Sequence, residues 1–474
     1  MKILFTGSEM DPLARTGGLG DVLEALPAAL AAQGHEVSVV LPCYRGLRER
    51  ARDTGVKVTV QVGAQRQTAE IWECTAPNGV QVFLVRRDEY FDRDGLYGEA
   101  GRDFADNAER FIWFSKVVVE LARRIVPPPE IIHAHDWQTA LVPVLVRERR
   151  LPFKTVLTIH NLAYQGSFWG PDFGLTNLPG EYFTATGVEF YGRLNLLKGG
   201  ILFADAITTV SERYAREIQT PEQGSGLDAV ICEHAAKLTG ILNGADYAVW
   251  NPAMDKLLPA RFSADDLAGK KVCREALLRE CGLLPAPRGP VLAIVSRLAQ
   301  QKGIDLLLPL LDRLLADDVR LVILGEGEPA YERELFVASK RHVGRFAFRQ
   351  SMDETLAHLI YAGADGFLVP SHFEPCGLGA MYALKYGTIP IARATGGLYE
   401  TIQDYDPTTE TGHGLVFFDE TPEALWDAII RMKRHFADPL RWQALMRRAM
   451  RCDFSWAKAV PGYEAVYAKV LGRK

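Results

Sequence analysis

The chain has 474 residues, 48% apolar and 24% charged, a globular composition too long for one ordinary core, so two domains of roughly 230 residues are expected. Its 54 basic and 59 acidic side chains leave a net charge of −5 with no basic arm, which argues against a nucleic-acid partner. No apolar run reaches the ~18 residues of a membrane span, the N-terminus lacks a secretory pattern, and seven scattered cysteines form no CxxC pair, so no membrane partner, disulfide framework or zinc site is signalled and a reducing cytoplasm is expected.

Strand-like apolar runs alternate with helix-like stretches throughout, which predicts parallel sheets with helices on both faces. The first run, Ile3 to Phe5, is followed by Thr16-Gly17-Gly18-Leu19 and the helical stretch Asp21 to Leu26. Adjacent glycines let a backbone approach a ligand and present N–H groups beside a helix N-terminus, a setting for phosphate or a sugar oxyanion. Further strands are expected at Val37 to Leu41, Val80 to Val85, Ile131-Ile132, Thr155 to Ile159 and Ala206 to Val210. His133-Ala134-His135-Asp136-Trp137 follows Ile132, and His160-Asn161 follows Ile159. Ligands of such sheets bind beyond the carboxyl ends of the strands, so these residues are site candidates. His133 and His135 are expected on alternate sides of their strand with no carboxylate cluster beside them, so no metal is expected. His133 is read as satisfied by backbone at the sheet end, and His160 as a hydrogen-bonding partner for a polyhydroxyl ligand.

Gly240 to Asn251 is glycine- and turn-rich and is read as the hinge, and a second loop, Pro285 to Pro290, precedes the next strand. Strands are then expected at Val291 to Val295, Arg320 to Leu324, Arg345 to Phe348, Gly366 to Val369, Ile389 to Ala392 and Gly414 to Phe417. Arg297 and Lys302, with Gly303 turning into a helix, form a compact cationic pair suited to a diphosphate leaving group. Gly325-Glu326-Gly327-Glu328-Pro329-Ala330 fits a loose dinucleotide pattern, but the next strand runs into Arg349-Gln350 rather than an acid, which disfavours a nicotinamide cofactor. Past Val369, Glu374 stands where a carboxylate accepts hydrogen bonds from sugar hydroxyls, and Gly377 opens a helix with outward amides. Cys376 has no evident partner base and is read as packing or close backbone contact. A second Thr395-Gly396-Gly397-Leu398 follows Ile389 to Ala392.

Taken in order, Ser8-Glu9-Met10, Thr16 to Val22, His133 to Trp137, His160 to Gly166, Asn243-Gly244, Ser296-Arg297-Leu298 with Gln301-Lys302-Gly303, Phe373 to Leu378, Lys385-Tyr386-Gly387, Thr395 to Leu398 and Asp453 to Trp456 resemble the bacterial glycogen synthase and plant starch synthase family over essentially the whole chain. The resemblance implies an α/β fold of two facing Rossmann-like, doubly wound domains (GT-B) with a deep cleft between them. Residues 1–242 would be the acceptor-side domain, 243–455 the donor-side domain and 456–474 a helix returning to the first. The halves would close on donor binding. It implies retaining transfer of glucose from a nucleotide sugar, ADP-glucose foremost or UDP-glucose, to the non-reducing 4-hydroxyl of an α-1,4-glucan, with no cofactor and no metal.

By the same resemblance, Arg297 and Lys302 neutralise the departing diphosphate, assisted by amides of Gly18, Gly396 and Gly397. Glu374 and the backbone of Cys376, Gly377 and Leu378 hold the glucose hydroxyls, with His160 and Asn243 on the same sugar. Asp21 contacts the donor with Arg15, Gly17 and Thr395, and Asp136 lies on the acceptor side of the reacting carbon. Arg15 stands where the family often has lysine, Met352 where a bacterial relative carries a base-stacking tyrosine, and Tyr382 where related retaining enzymes place a second glutamate. Trp137, Tyr164, Phe168 and Trp169 are candidates for stacking on sugar rings or for wall residues. Two rival readings are a sibling glycosyltransferase with another donor or acceptor and a non-catalytic glucan-binding protein. The joint presence of Lys302, Glu374 and the loop glycines disfavours the latter.

Overall fold

A computed structural model describes residues 1–99, 101–285 and 289–473. The stretch 286–288 of the expected Pro285 to Pro290 loop lies outside the described residues. The chain divides into two compact units, Met1–Gly244 together with Trp456–Lys474, and Ala245–Ser455.

Among the described residues the first unit carries a nine-stranded sheet. Its strands are β1 (Lys2–Thr6), β2 (Glu36–Pro42), β3 (Arg52–Val62), β4 (Gln65–Thr75), β5 (Gln81–Arg86), β6 (Ile131–His135), β7 (Lys154–Ile159), β8 (Ala206–Thr209) and β9 (Leu238–Gly240). They lie in the order β9-β8-β7-β6-β1-β2-β5-β4-β3. A parallel strand covered on both faces needs a continuous apolar run, and Ile3-Leu4-Phe5, Val39-Val40-Leu41 and Ile131-Ile132 supply it, all buried. Strand order reverses at β1, which pairs in parallel with β2 on one side and β6 on the other, so the loops after β1 and β6 open at this switch point.

Two expectations are corrected here. The sheet is not parallel throughout: β4 runs antiparallel to β3 and to β5. Within β3, Val58, Val60 and Val62 are buried while Lys57, Thr59 and Gln61 are exposed, the period-two pattern of a strand with one wet face. Second, β6 continues through His135, so His133 and His135 lie inside the strand rather than after it.

The segment from Trp456 folds as the helix Trp456–Val470 and packs Trp456, Val460, Tyr463, Val466 and Tyr467 into the first unit's core. Their spacing forms the single apolar stripe that one helix face presents.

The second unit has a six-stranded parallel sheet among the described residues: β10 (Val291–Val295), β11 (Arg320–Leu324), β12 (Phe346–Arg349), β13 (Gly366–Val369), β14 (Ile389–Arg393) and β15 (Leu415–Phe417). The order β12-β11-β10-β13-β14-β15 is that of a doubly wound nucleotide-binding sheet, whose ligand crevice opens beyond its two central strands, here β10 and β13.

Candidate active site

In the first unit the loop after β1 is organised by Glu9. Its buried carboxylate accepts from the Thr16 amide (2.6 Å), the Thr16 hydroxyl (2.7 Å), the Gly17 amide (3.1 Å) and the Tyr97 hydroxyl (2.6 Å). Tyr97 also meets the Ser8 hydroxyl at 2.7 Å. One anion thereby fixes the entry to the helix Gly18–Ala32, whose first residue is an exposed glycine. Arg15 and Asp21 pair at 3.0 Å, with Asp11 at 3.7 Å from the same guanidinium. Glu9 was not among the expected site residues. Its signal was an acid seven residues before a Thr-Gly-Gly-Leu loop, directly after a strand.

At the end of β6, Asp136 is buried and left-handed, with φ +56°, a conformation that is uncommon outside glycine and favours short polar side chains. Its Oδ1 accepts the His160 amide at 2.7 Å, which ties the loop after β6 to the loop after β7. Burial pushes the Asp136 carboxyl up to about 7, opposed by that amide and reinforced by nearby Glu9. His160 Nε2 meets His135 Nδ1 at 2.9 Å. Burial holds His160 and His133 down at about 3 and His135 well below the usual range, so all three imidazoles are neutral near pH 7. His160 therefore offers a hydrogen-bonding imidazole without positive charge.

His133 and His135 do not alternate sides. Residues two apart on a strand share a face, and their rings lie 4.3 Å apart. Nor is His133 satisfied by backbone: the Tyr467 hydroxyl lies 2.7 Å from its Nδ1 and the Thr158 hydroxyl 2.6 Å from its Nε2. Asn243 is buried, with its Oδ1 lacking a hydrogen-bond partner among the described residues.

In the second unit the crevice beyond β10 and β13 brings together Lys302 and Glu374. Gly303 has φ +67°, and a Cβ there would stand 2.0 Å from the Pro370 carbonyl oxygen. Glycine thus lets the Lys302 turn lie on the backbone after β13, which brings Lys302 Nζ to 2.6 Å from Glu374 Oε2. The Ser371 hydroxyl donates to the same oxygen at 3.0 Å. Arg393, at the end of β14, donates to the Ser371 carbonyl at 2.8 Å and to the His372 carbonyl. His372 is itself held between Asp305 (2.8 Å) and Glu420 (2.7 Å). Arg393 was missed because the expected strand stopped at Ala392, and His372, three residues past β13, was passed over in favour of Glu374. A basic residue at a strand end was the available signal.

The second Thr-Gly-Gly-Leu packs directly on this loop. Gly396 has φ +48°, and a Cβ would stand 2.0 Å from the Glu374 carbonyl oxygen; at Gly397 it would stand 2.0 Å from that of Cys376. The Gly397 amide donates to the carbonyls of Glu374 (3.0 Å) and Pro375 (3.2 Å). That corrects one expectation, since this amide is engaged by protein rather than presented outward. Thr395 is buried and precedes the short helix Gly396–Thr401. Cys376 is buried, and Gly377 (φ +87°) opens the helix Leu378–Lys385.

Arg297 follows β10 in a segment stitched to the loop after β11. Leu298 donates to the Glu326 carbonyl (2.9 Å) and accepts the Glu328 amide (2.7 Å). Added Cβ atoms on Gly325 and Gly327 would meet the Ser296 and Leu298 carbonyls at 1.9 and 2.3 Å. The GxGxxA glycines therefore serve this close backbone contact. Tyr382 is buried and stacks on Trp250 at 4.4 Å, a packing role at the position where related enzymes place a glutamate. Met352 is 59% exposed.

Two Rossmann-like units, each gathering glycine loops and charged side chains at its strand-order reversal, define a glycosyltransferase of the GT-B class. Residues 2–233 match the family model described as the starch synthase catalytic domain, and residues 283–442 that of glycosyl transferases group 1. The glycogen synthase of Koribacter versatilis (strain Ellin345) is 46% identical over 476 residues, 99% of this chain and 98% of that protein. That of Geotalea uraniireducens (strain Rf4) is 43% identical over the whole of both. The catalytic domain of starch synthase IV from Arabidopsis thaliana, solved with ADP and acarbose, superposes with a TM-score of 0.92 at 34% identity, covering 100% of this chain and 99% of that one. A sucrose-phosphate synthase from Thermosynechococcus elongatus shares the fold, with a TM-score of 0.62 at 20% identity over 99% of each chain. The chain belongs to the glycogen synthase and starch synthase family. No helix among the described residues is long and apolar enough to cross a membrane.

Proposed function

We propose that this enzyme transfers glucose from ADP-glucose to the non-reducing 4-hydroxyl of an α-1,4-glucan with retention, in the cytoplasm. The observation that carries it is the Lys302–Glu374 pair at the crevice beyond β10 and β13, at 2.6 Å. A cation for a departing diphosphate stands beside a carboxylate for sugar hydroxyls, both on rigid strand-end loops. The full-length relatives named glycogen synthase and the ADP in the starch synthase IV structure support the donor and acceptor.

In this reading the chemistry is electrostatic. Arg297 and Lys302 take up charge as the C1–O bond to the diphosphate breaks. The acceptor hydroxyl attacks C1 from the same face, and its proton passes to a leaving-phosphate oxygen, so configuration is retained without a protein nucleophile. Glu374, released from Lys302 as the cation turns to phosphate, accepts from glucose hydroxyls. The Cys376–Leu378 backbone lies on the same sugar. Neutral His160 and Asn243, with its unpartnered buried oxygen, are sugar-bonding groups of the first unit. Asp136, in its ionised form, sets a negative potential on the acceptor side. The first unit carries the acceptor side and the second the donor side.

The test is incubation of purified protein with radiolabelled ADP-glucose or UDP-glucose and glycogen, scoring label in α-1,4-linked polymer. Label from ADP-glucose, lost in Lys302→Ala and Glu374→Ala, supports the reading. Absence of transfer from both donors by folded protein would refute it.

A further inference from the structure

One cluster of charged side chains in the second unit serves none of the steps above. His372 stands between two carboxylates. Its Nδ1 lies 2.7 Å from Glu420 Oε1, and its Nε2 lies 2.8 Å from Asp305 Oδ1 and 3.0 Å from Asp305 Oδ2. The other oxygen of Glu420 meets the Arg393 guanidinium at 3.2 Å. An ionised carboxylate only accepts hydrogen bonds, and a neutral imidazole carries a single N–H. A neutral ring therefore serves one acid and turns a bare lone pair on the other, whereas an imidazolium donates to both. The side chains of Asp305 and Glu420 are 42% and 48% exposed and keep contact with water, so the proton that completes the pattern belongs on the ring.

Each member comes from a different segment, and two of these segments carry the proposed transfer machinery. Asp305 lies in the helical turn Ile304–Leu307, directly past Lys302 and Gly303. His372 stands two residues before Glu374 in the loop after β13. Glu420 follows β15, and Arg393 ends β14. The first two segments are already joined by neutral bonds: the His372 amide donates to the Gln301 carbonyl at 2.9 Å, and the Gln301 side-chain amide to the Phe373 carbonyl at 3.2 Å. The ionic bridge adds the segment after β15 and braces the turn beyond Lys302. Among the described residues the charged groups of this cluster are Asp305, Glu420 and Arg393, with Lys302 and Glu374 paired to each other on the same two segments.

We propose that His372 is a positioning residue for glucosyl transfer: as an imidazolium bridging Asp305 and Glu420 it holds the Lys302 turn and the Glu374 loop in register, and transfer weakens as rising pH removes its proton. Loss of that proton leaves one carboxylate facing a ring lone pair, so a charge-assisted bond gives way to repulsion and one segment is released. The proton leaves as pH rises, so the bracing is lost on the alkaline side. The inference rests on the transfer reading above and adds pH control of that site. An arginine at this position has several donors and a permanent charge, and separates the effect of the proton from that of the ring.

The experiment combines nitrogen NMR of the isotope-labelled histidines of the full chain, with the His372 signals assigned by their loss in His372→Gln, and kcat for transfer from acidic to alkaline pH. In wild type both ring nitrogens carry protons at the pH of maximal transfer, and kcat falls roughly tenfold as the ring loses one, the worth of one charge-assisted bond. His372→Arg restores transfer without that alkaline fall, and His372→Gln is about tenfold slower at the optimum and also lacks it. Asp305→Asn, at an exposed side chain, removes one acid and moves the fall to lower pH, which keeps the test open should a variant at His372 fold poorly. The same alkaline fall in wild type and His372→Arg, or a singly protonated His372 ring at the pH of maximal transfer, would overturn the proposal. A doubly protonated ring in folded wild type that transfers no glucose would uphold the bridge and fault the transfer reading instead.

Discussion

Glu9→Ala removes the acceptor of four hydrogen bonds at once, two of them from the Thr16 and Gly17 amides. Thr16 is exposed, so water can take over at the loop. The loss is then the net worth of charge-assisted bonds, about 1.5–3 kcal/mol each, rather than the penalty for orphaned buried groups. Tyr97 retains Ser8 at 2.7 Å and adds little. The two amides alone give about 3–6 kcal/mol, part of which is absorbed by fraying of the loop in the free protein. If about 3 kcal/mol is needed to reorder the loop for transfer, kcat/KM for the donor falls on the order of 10²-fold. Glu9→Gln keeps an oxygen for both amides and turns its NH₂ to the Thr16 and Tyr97 hydroxyls, which can accept. It loses charge assistance only, about 1–1.5 kcal/mol or roughly tenfold. Donor-dependent kinetics at saturating glycogen, with calorimetry to confirm the fold, measure both. Equal kinetics in wild type and Glu9→Ala, or equal damage in Gln and Ala, would refute this account of the loop.

Lys302→Ala is expected to lower kcat by about 10²–10³-fold, the usual worth of one donor on developing charge, read in the transfer assay. Gly396→Ala and Gly397→Ala drive a Cβ to 2.0 Å from the carbonyls of Glu374 and Cys376. Both should abolish transfer, whereas Gly174→Ala, with open space around it, should leave melting and transfer unaltered. Tyr467→Phe removes the hydroxyl at His133 Nδ1 and should cost about 1–3 kcal/mol, several degrees in a thermal melt. Stability should also follow pH with a definite sign. Asp136, at about 7 in the folded protein against 3.8 unfolded, binds its proton more tightly when folded and so loses stability as pH rises from about 4 to 7. His133 and His160, at about 3 against 6.5, are protonated only when unfolded and gain stability over the same interval. Two gains outweigh one loss, so urea midpoints should rise between pH 4 and 6.5, and His160→Gln should flatten that rise.

The buried parallel strands were legible because burial on both faces demands continuous apolar runs. Val291–Val295, Arg320–Leu324 and Gly366–Val369 are observed with the expected bounds. The β3–β4 hairpin was missed because its strands alternate polar and apolar residues, and only the continuous pattern was sought. At the site, strand-end residues such as Lys302 and Glu374 were legible from position. What holds them was not, because Glu9, Tyr97, Arg393 and Tyr467 reach their partners across many residues of sequence. The Asp136 conformation left no trace in the sequence either, since a left-handed aspartate is set by the two loops it joins.

The repeated Thr-Gly-Gly-Leu invites the inference of equal duty, and the geometry argues otherwise. In the first unit a carboxylate holds the loop through the Thr16 and Gly17 amides, so what faces outward is the start of the 15-residue helix Gly18–Ala32. In the second unit the glycines are fixed by contact with backbone: Gly396 lies against the Glu374 carbonyl and Gly397 donates to it. There the tetrapeptide does not present that amide; it locks the loop that aims Glu374 at Lys302. On the proposed reading, leaving-group charge in that unit is met mainly by side chains, with Lys302 at the crevice beside the Glu374 carboxylate. A long helix N-terminus offers about half a charge, and a lysine offers a whole one.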